Sequence, residues 1–192
     1  PSWVGRRWSE DWGREEARSR GKLTSMKPYM SRRLNRPEQA GSLRLGLEQA
    51  AIRAWHSPLV KSGLRMASNP YPPSLPGYAE GWVTPQTESA MMVVEAFLSI
   101  QEGGPVLEMC SGRGVKSGQL LSCLPDGVPL ESWELSPGRV AAAKLEMHRI
   151  GLSERAFFKV GDALKLEPLQ APRAILLDAP CTASGIVRRH PD

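Results

Sequence analysis

The last fifteen residues, Asp178 to Asp192, bring a carboxylate, a Pro-Cys pair, small residues and an Arg-Arg-His run together. A lone cysteine after a strand is most often a small buried hydrophobe. Here Pro180 fixes the backbone before Cys181, and Arg188, Arg189 and His190 lie close enough in sequence to stabilise a thiolate. Asp178, three residues before the thiol, can hold a base ring by its polar edge. Acid, sulfur nucleophile and a methyl donor are the ingredients of pyrimidine C5 methylation. Cytosine C5 is too weak a nucleophile to attack a methyl-sulfonium directly. Addition of a thiolate at C6 makes an enamine-like species that can attack; C5 then loses its proton and the thiol is eliminated.

A second cluster could bind that donor. In Cys110-Ser-Gly-Arg-Gly-Val-Lys116, Gly112 and Gly114 allow a sharp turn and close approach of a ligand, and the following helix offers free N–H groups. Gly-x-Gly alone is a weak signal, and the missing third glycine of a dinucleotide fingerprint disfavours NAD. Glu134 follows Gly114 by twenty residues, where an acid accepts from ribose hydroxyls. Asp162, in Gly161-Asp-Ala163, can accept from an adenine amino group. Each acid alone could equally be a helix cap or a solvated loop residue. Gly-rich, acidic and Gly-Asp signals at three successive strand ends form the layout of an S-adenosylmethionine (SAM) pocket.

Alternating strands and helices must position these groups. Pro105–Met109 reads as a strand, Val115–Cys123 as a helix and Val128–Trp133 as the next strand. Ser136 caps a helix with Pro137 in its first turn and Val140, Ala143, Met147 and Ile150 on its buried side. Ala156–Val160 and Ala174–Ala179 supply two further strands, giving a parallel sheet expected to be covered on both faces. Before it, Thr84 is the expected cap of a helix beginning at Pro85. The Pro-rich stretch 68–77 reads as a linker, and 42–56 as a helix with Leu43, Leu47, Ala50 and Ala54 on one side. Residues 1–22 are compatible with helix, Trp3, Trp8 and Trp12 forming a buried stripe.

Composition narrows the class. The hydrophobic fraction of 41% is ordinary for a globular protein, and no apolar run has transmembrane length. The three cysteines have neither a disulfide framework nor metal-ligand spacing, so no metal is expected and a reduced, cytoplasmic setting is the default. Charge is uneven: residues 1–36 hold ten Lys/Arg against four Asp/Glu, a net of +6, and the remaining 156 come to −1. That bias points to a polyanion, most simply nucleic acid; a solvated basic helix face is the equal alternative. Pro1 in place of Met, and a stop at Asp192 before any closing helix, lead to the expectation of a piece of a longer chain.

These residues resemble the RsmB/Sun-type RNA (cytosine-5)-methyltransferases, and within them the bacterial branch acting on 16S ribosomal RNA. The resemblance spans Pro1-Ser-Trp-Val with Trp8, Met30 through Arg36, Pro76–Gln86, Val106–Lys116, Glu134, Asp162 and Asp178–Asp192. It implies a C-terminally incomplete Rossmann-like SAM-dependent domain at 79–192, preceded by an incomplete α+β RNA-binding region at 1–78. SAM would be the cofactor, RNA the partner, and the protein a cytoplasmic monomer. Cys110, Ser111, Gly112, Arg113, Gly114, Val115, Lys116, Glu134, Arg139, Asp162 and Asp178 would line the cofactor. Arg32, Arg33, Arg36, Arg188 and Arg189 would meet RNA. Asp178 would contact the cytosine or the methyl donor, and Cys181 would be the helper cysteine that assists product release. The family's attacking cysteine lies on a later strand with no counterpart in this sequence. The chain departs from the family's Cys-Ala-Ala-Pro-Gly-Gly-Lys loop at Arg113 and Val115, and has Glu108 where Asp is usual. A valine at a glycine position limits φ > 0, so altered cofactor affinity is expected. Two alternatives follow: the same enzyme acting on transfer RNA, or a non-catalytic RNA-binding protein with a degenerate loop.

Overall fold

The computed structural model describes residues 2–26 and 29–181. The chain divides into two compact units, one holding everything described up to Tyr29 together with Pro180 and Cys181, the other Met30–Ala179. Arg188, Arg189 and His190 lie outside the described residues.

In the first unit, α1 (Ser2–Trp12) and α2 (Arg14–Ser25) are separated by Gly13, whose φ of 82° breaks the helical path. The expected buried tryptophan stripe is not what holds them. Val4 and Ala17 are buried, whereas Trp3 and Trp12 are exposed. Trp12 instead lies against Trp8, centroids 6.0 Å apart, with the Arg20 guanidinium 4.1 Å from its ring.

The second unit begins with an antiparallel sheet of β1 (Met30–Leu34), β2 (Ala54–His56), β3 (Gly63–Met66) and β4 (Val83–Pro85), in the order β2-β3-β1-β4. One face carries Leu34, Leu64, Met66 and Val83 onto Leu43 and Leu47 of α3 (Ala40–Gln49). The helix expected over 42–56 therefore ends early. Ala51 adopts φ 54°, and the amides of Ala51 and Ile52 bond back to the carbonyls of Glu48 and Leu47. This is a Schellman stop built on alanine where glycine is usual, and Ala54 is released into β2. The cap expected at Thr84 moves for a related reason. Thr84 and Pro85 pair with Arg33 and Arg32 in the sheet, so Thr87 caps α4 (Glu88–Ile100) by accepting from the Ala90 amide.

The parallel sheet follows, with β5 (Val106–Met109), β6 (Leu130–Glu134), β7 (Ala156–Val160) and β8 (Ala174–Leu177) in the order β7-β6-β5-β8. Helices α4, α5 (Val115–Cys123) and α6 (Pro137–Arg149) press Val94, Phe97, Leu120, Leu121, Val140, Ala143 and Met147 onto Val106, Leu130, Phe158 and Leu176. Ser136 caps α6, and Gly151 at φ 76° ends it. Covering on both faces does not hold among the described residues. Ile175 and Leu177 point the other way and remain 54% and 58% exposed, because β8 closes the sheet without a helix packed on that side.

Polar side chains join the two sheets. Arg149 donates to Glu146 at 2.5 and 2.8 Å, to the Thr84 hydroxyl at 2.8 Å and to the Tyr78 carbonyl, and its guanidinium lies 4.0 Å from the Tyr78 ring. Burial alone would push the Glu146 carboxyl up, but hydrogen bonds from Arg149 and Thr84 hold it below its ordinary range. Its contribution to stability is therefore present above the ordinary carboxylate range and lost as pH falls through the lowered value. Arg149→Met should leave a largely buried carboxylate unpaired and lower unfolding stability by roughly 3 kcal/mol, measured by denaturant titration at neutral pH. The deficit should shrink on acidification.

Candidate functional site

The sheet register sets the site. Met109 lies level with Trp133 on one side and Leu177 on the other, so the loops after β5, β6 and β8 leave from the same edge. Backbone bonds continue the pairing past the strands: the Ser111 amide donates to the Trp133 carbonyl at 2.9 Å, and the Gly161 amide to the Glu134 carbonyl at 3.0 Å. Cys110, Gly112 and Gly114 then all take left-handed conformations, with φ of 62°, 61° and 78°. At Gly114 space and conformation coincide, because a Cβ there would lie 2.9 Å from the Ala143 Cβ. At Gly112 a Cβ would meet nothing within 4 Å, leaving open space over the loop.

Glu134 holds this loop. Its Oε2 accepts from the Gly112 amide at 2.9 Å, and its Oε1 accepts from the Ser136 amide at 2.9 Å and lies 3.6 Å from Arg139 Nη1. One buried carboxylate thus ties the β5 loop to the start of α6. Lys116, in the first turn of α5, pairs with Asp178 at the end of β8. Asp162 accepts from the Leu164 amide at 3.0 Å and shapes the turn after β7. Gly112, Glu134 and Arg139 therefore form one connected group and Lys116 and Asp178 a second at the same sheet edge, while Asp162 lies one strand away. Buried within the same loop, the Ser111 hydroxyl has no hydrogen-bond partner among the described residues. An unsatisfied buried hydroxyl at Ser111, open space over Gly112 and carboxylates at the ends of β6 and β8 are a set that fits a ligand with ribose and amino groups such as SAM.

The structure corrects two expectations. Val115 starts α5 as an ordinary helical residue, and among the described residues only Ala51 and Cys110 are non-glycine residues at positive φ. The valine is thus not strained, and Cys110 carries the left-handed turn instead. This removes the backbone argument against Val115, while the Arg113 departure stands. Arg32 and Arg33 were expected to meet RNA, but they are 1% and 2% exposed. Arg32 donates to Asn69 and the Pro70 carbonyl, and Arg33 to Asn35, Gln86 and the Val115 carbonyl. Their strand lies between two packed layers, which no phosphate can reach. Arg36 remains partly exposed and donates to the Ile150 carbonyl at 3.4 Å. Arg113 and Cys181 are exposed. Burial pushes the Cys110 thiol up, reinforced by the charges of Glu134 and Asp178, so it is a poor nucleophile. Among the described residues no group of three metal-ligating side chains occurs, and no helix is long and apolar enough to cross a membrane.

Beneath the loop lies a cluster that sequence patterns did not reveal. The Glu108 carboxyl, fully enclosed, accepts from Ser117 at 2.5 Å and from Ser132 at 2.8 Å, joining β5, β6 and α5. The only sequence signal was an acid inside a buried strand. Burial pushes Glu108 up to about 7, against the partial relief from the two hydroxyls. Its folded value lies above the unfolded one, so its contribution is fully present below the ordinary carboxylate range and is lost as pH rises through about 7. Unfolding stability should fall by about 3 kcal/mol at most from pH 5 to 9 through this group, and Glu108→Gln should flatten that slope. An unchanged slope in thermal or urea unfolding of the variant would refute the assignment.

Residues 95–192 match the family model described as 16S rRNA methyltransferase RsmB/F. The chain is 35% identical over 173 residues to the ribosomal RNA small subunit methyltransferase B of Salmonella arizonae, covering 88% of this chain and 39% of that protein. The chain thus spans well under half the length of the curated relatives it matches. Among solved structures, PH0851 superimposes with a TM-score of 0.86 at 22% identity, over all of this chain and 44% of the other. NSun6 from Pyrococcus horikoshii with SFG gives 0.68 at 13% identity, over 83% and 64%. Both likenesses show the fold alone, an α/β architecture with a parallel sheet. With the family model covering half of its residues, the chain belongs to the RsmB/F family of 16S rRNA methyltransferases.

Proposed function

We propose that the chain is part of an enzyme that transfers a methyl group from SAM to cytosine C5 in RNA, with 16S ribosomal RNA as the target. The observation that supports this most is the convergence of the Gly112–Gly114 loop, Glu134 and the Lys116–Asp178 pair on one sheet edge, in a member of this family. When bound, the cofactor supplies an electrophilic methyl group. Glu134 would accept from its ribose with the lone pairs left by the Gly112 and Ser136 amides. Asp162 would receive the adenine amino group, and Ser111, Cys110, Arg113, Val115 and Arg139 would complete the lining.

Asp178, with Lys116 beside it, would hold the cytosine or the methionine end at the open side. The C6 addition that activates C5 needs a thiolate. Cys110 is poorly suited, and the family resemblance implies that Cys181 assists release of the methylated RNA and that the attacking cysteine is one on a later strand. Residues 1–78 would serve RNA binding and 79–192 catalysis. Exposed Arg6, Arg14, Arg18 and Lys22 on α1 and α2, together with Arg36, are the cations available to phosphates; Arg188 and Arg189 would add to them.

Calorimetry of the 192-residue chain with SAM tests the core of this reading: binding is expected, weakened roughly tenfold or more by Glu134→Ala. Absence of binding would favour an RNA-binding scaffold. Affinity for ribosomal RNA fragments should drop steeply as salt rises, and should exceed that for transfer RNA. Labelled methyl should not reach cytosine with these residues alone; transfer by them would refute the assignment of the nucleophile.

A further inference from the structure

We infer that Arg33 and Gln86, which come from the antiparallel sheet and the strap after it, are positioning residues for the cofactor loop through the first turn of α5. This rests on the reading of that loop as the SAM site. Arg33 leaves β1 on the face opposite Leu34 and reaches the second sheet's helices. Its Nη1 donates to the Val115 carbonyl at 2.7 Å and to Gln86, while Nε donates to Asn35 at 2.7 Å. Gln86 passes the contact on, donating to Gln119 at 2.6 Å, and Gln119 donates to the Met91 carbonyl at 3.1 Å. Val115 and Gln119 are one turn apart on α5. A single guanidinium therefore holds the first residue of the helix directly and the next turn through an amide.

Stability alone accounts poorly for this arrangement. The cation sits beside the positive end of the α5 dipole, where a positive charge is disfavoured. It is 2% exposed, and Nη2 has no partner. Burial pulls Arg33 down to about 10 against partial relief from the Glu146 charge, so it stays charged at neutral pH and its desolvation is only partly offset. Gly118 leaves the room it needs, because a Cβ there would stand 3.1 Å from Nη2 and 2.9 Å from Ile150 Cδ1. What the contact does is geometric. Val115 follows Gly114 directly, and Lys116, which pairs with Asp178, follows Val115. A rotation of the α5 first turn would move both the loop and that lysine.

Another tie between the same sheet and a helix provides the comparison. Arg65 donates to Glu88 at 2.8 and 3.0 Å, joining β3 to α4 rather than α5. In the intact 192-residue chain, Gln86→Met and Arg33→Lys should each weaken SAM binding about tenfold by calorimetry and speed amide exchange at residues 114–119. Arg65→Met should lower the thermal midpoint by at least as much, yet keep SAM affinity within about twofold of the parent. Variants of Gln86 and Arg33 that lose thermal stability but keep parental affinity would overturn the positioning role, as would an equal affinity loss in Arg65→Met. If the parent chain binds no SAM, the cofactor reading fails. Amide exchange then decides the positioning role separately: unchanged protection of residues 114–119 in Gln86→Met refutes it.

Discussion

Strand β5 pairs with β6 on one side and β8 on the other, and that double pairing makes a site out of residues scattered from Gly112 to Asp178. In a parallel sheet every strand points the same way, so every following loop leaves from one edge. Residues 62 positions apart can therefore meet there. Lys116 reaches Asp178, and the Gly112 amide reaches Glu134, because the backbone ladder has already brought their strands within a few ångströms.

The loop itself is bent more sharply than glycine count alone implies. Cys110 takes a left-handed conformation that a β-carbon makes costly. The surroundings compensate: the amide after it is held by β6, and the Glu134 carboxylate holds the amide after that. Glu134 is consequently the anchor of the loop, and in the proposed function it is also the acid offered to the ribose. Its two oxygens each have a lone pair left after the backbone bonds, which makes both tasks compatible.

The two sheets are joined by charged and amide side chains rather than by a continuous apolar core. Each sheet has its own hydrophobic cluster. Between them lie Arg33 with Gln86 and Gln119, and Arg149 with Glu146 and Thr84. Such contacts stabilise less than apolar packing of the same volume, but their directional bonds admit few alternative registers. That is a suitable property where the helix carrying a ligand loop meets a neighbouring layer.

Much of the second half was legible in the residues themselves. Apolar runs located β5 to β8, and Ser136-Pro137 marked the start of α6, because these signals depend on local conformational preference. The site acids were readable for the same reason, as short motifs at strand ends. The first half was less legible. Met-Ser-Arg-Arg-Leu does not look like a buried strand, and Ala51 does not look like a helix stop, since each owes its conformation to partners far along the chain. Sequence by itself determined the order of strands and helices in the parallel sheet and singled out Gly112, Gly114, Glu134 and Asp162 as candidates for a cofactor site. Only the tertiary structure decided that Arg32 and Arg33 face protein instead of phosphate, that Val115 is unstrained, and that Glu108 is enclosed by two hydroxyls. Burial and hydrogen-bond partners are properties of packed layers, and a side chain's type does not state which layer will cover it.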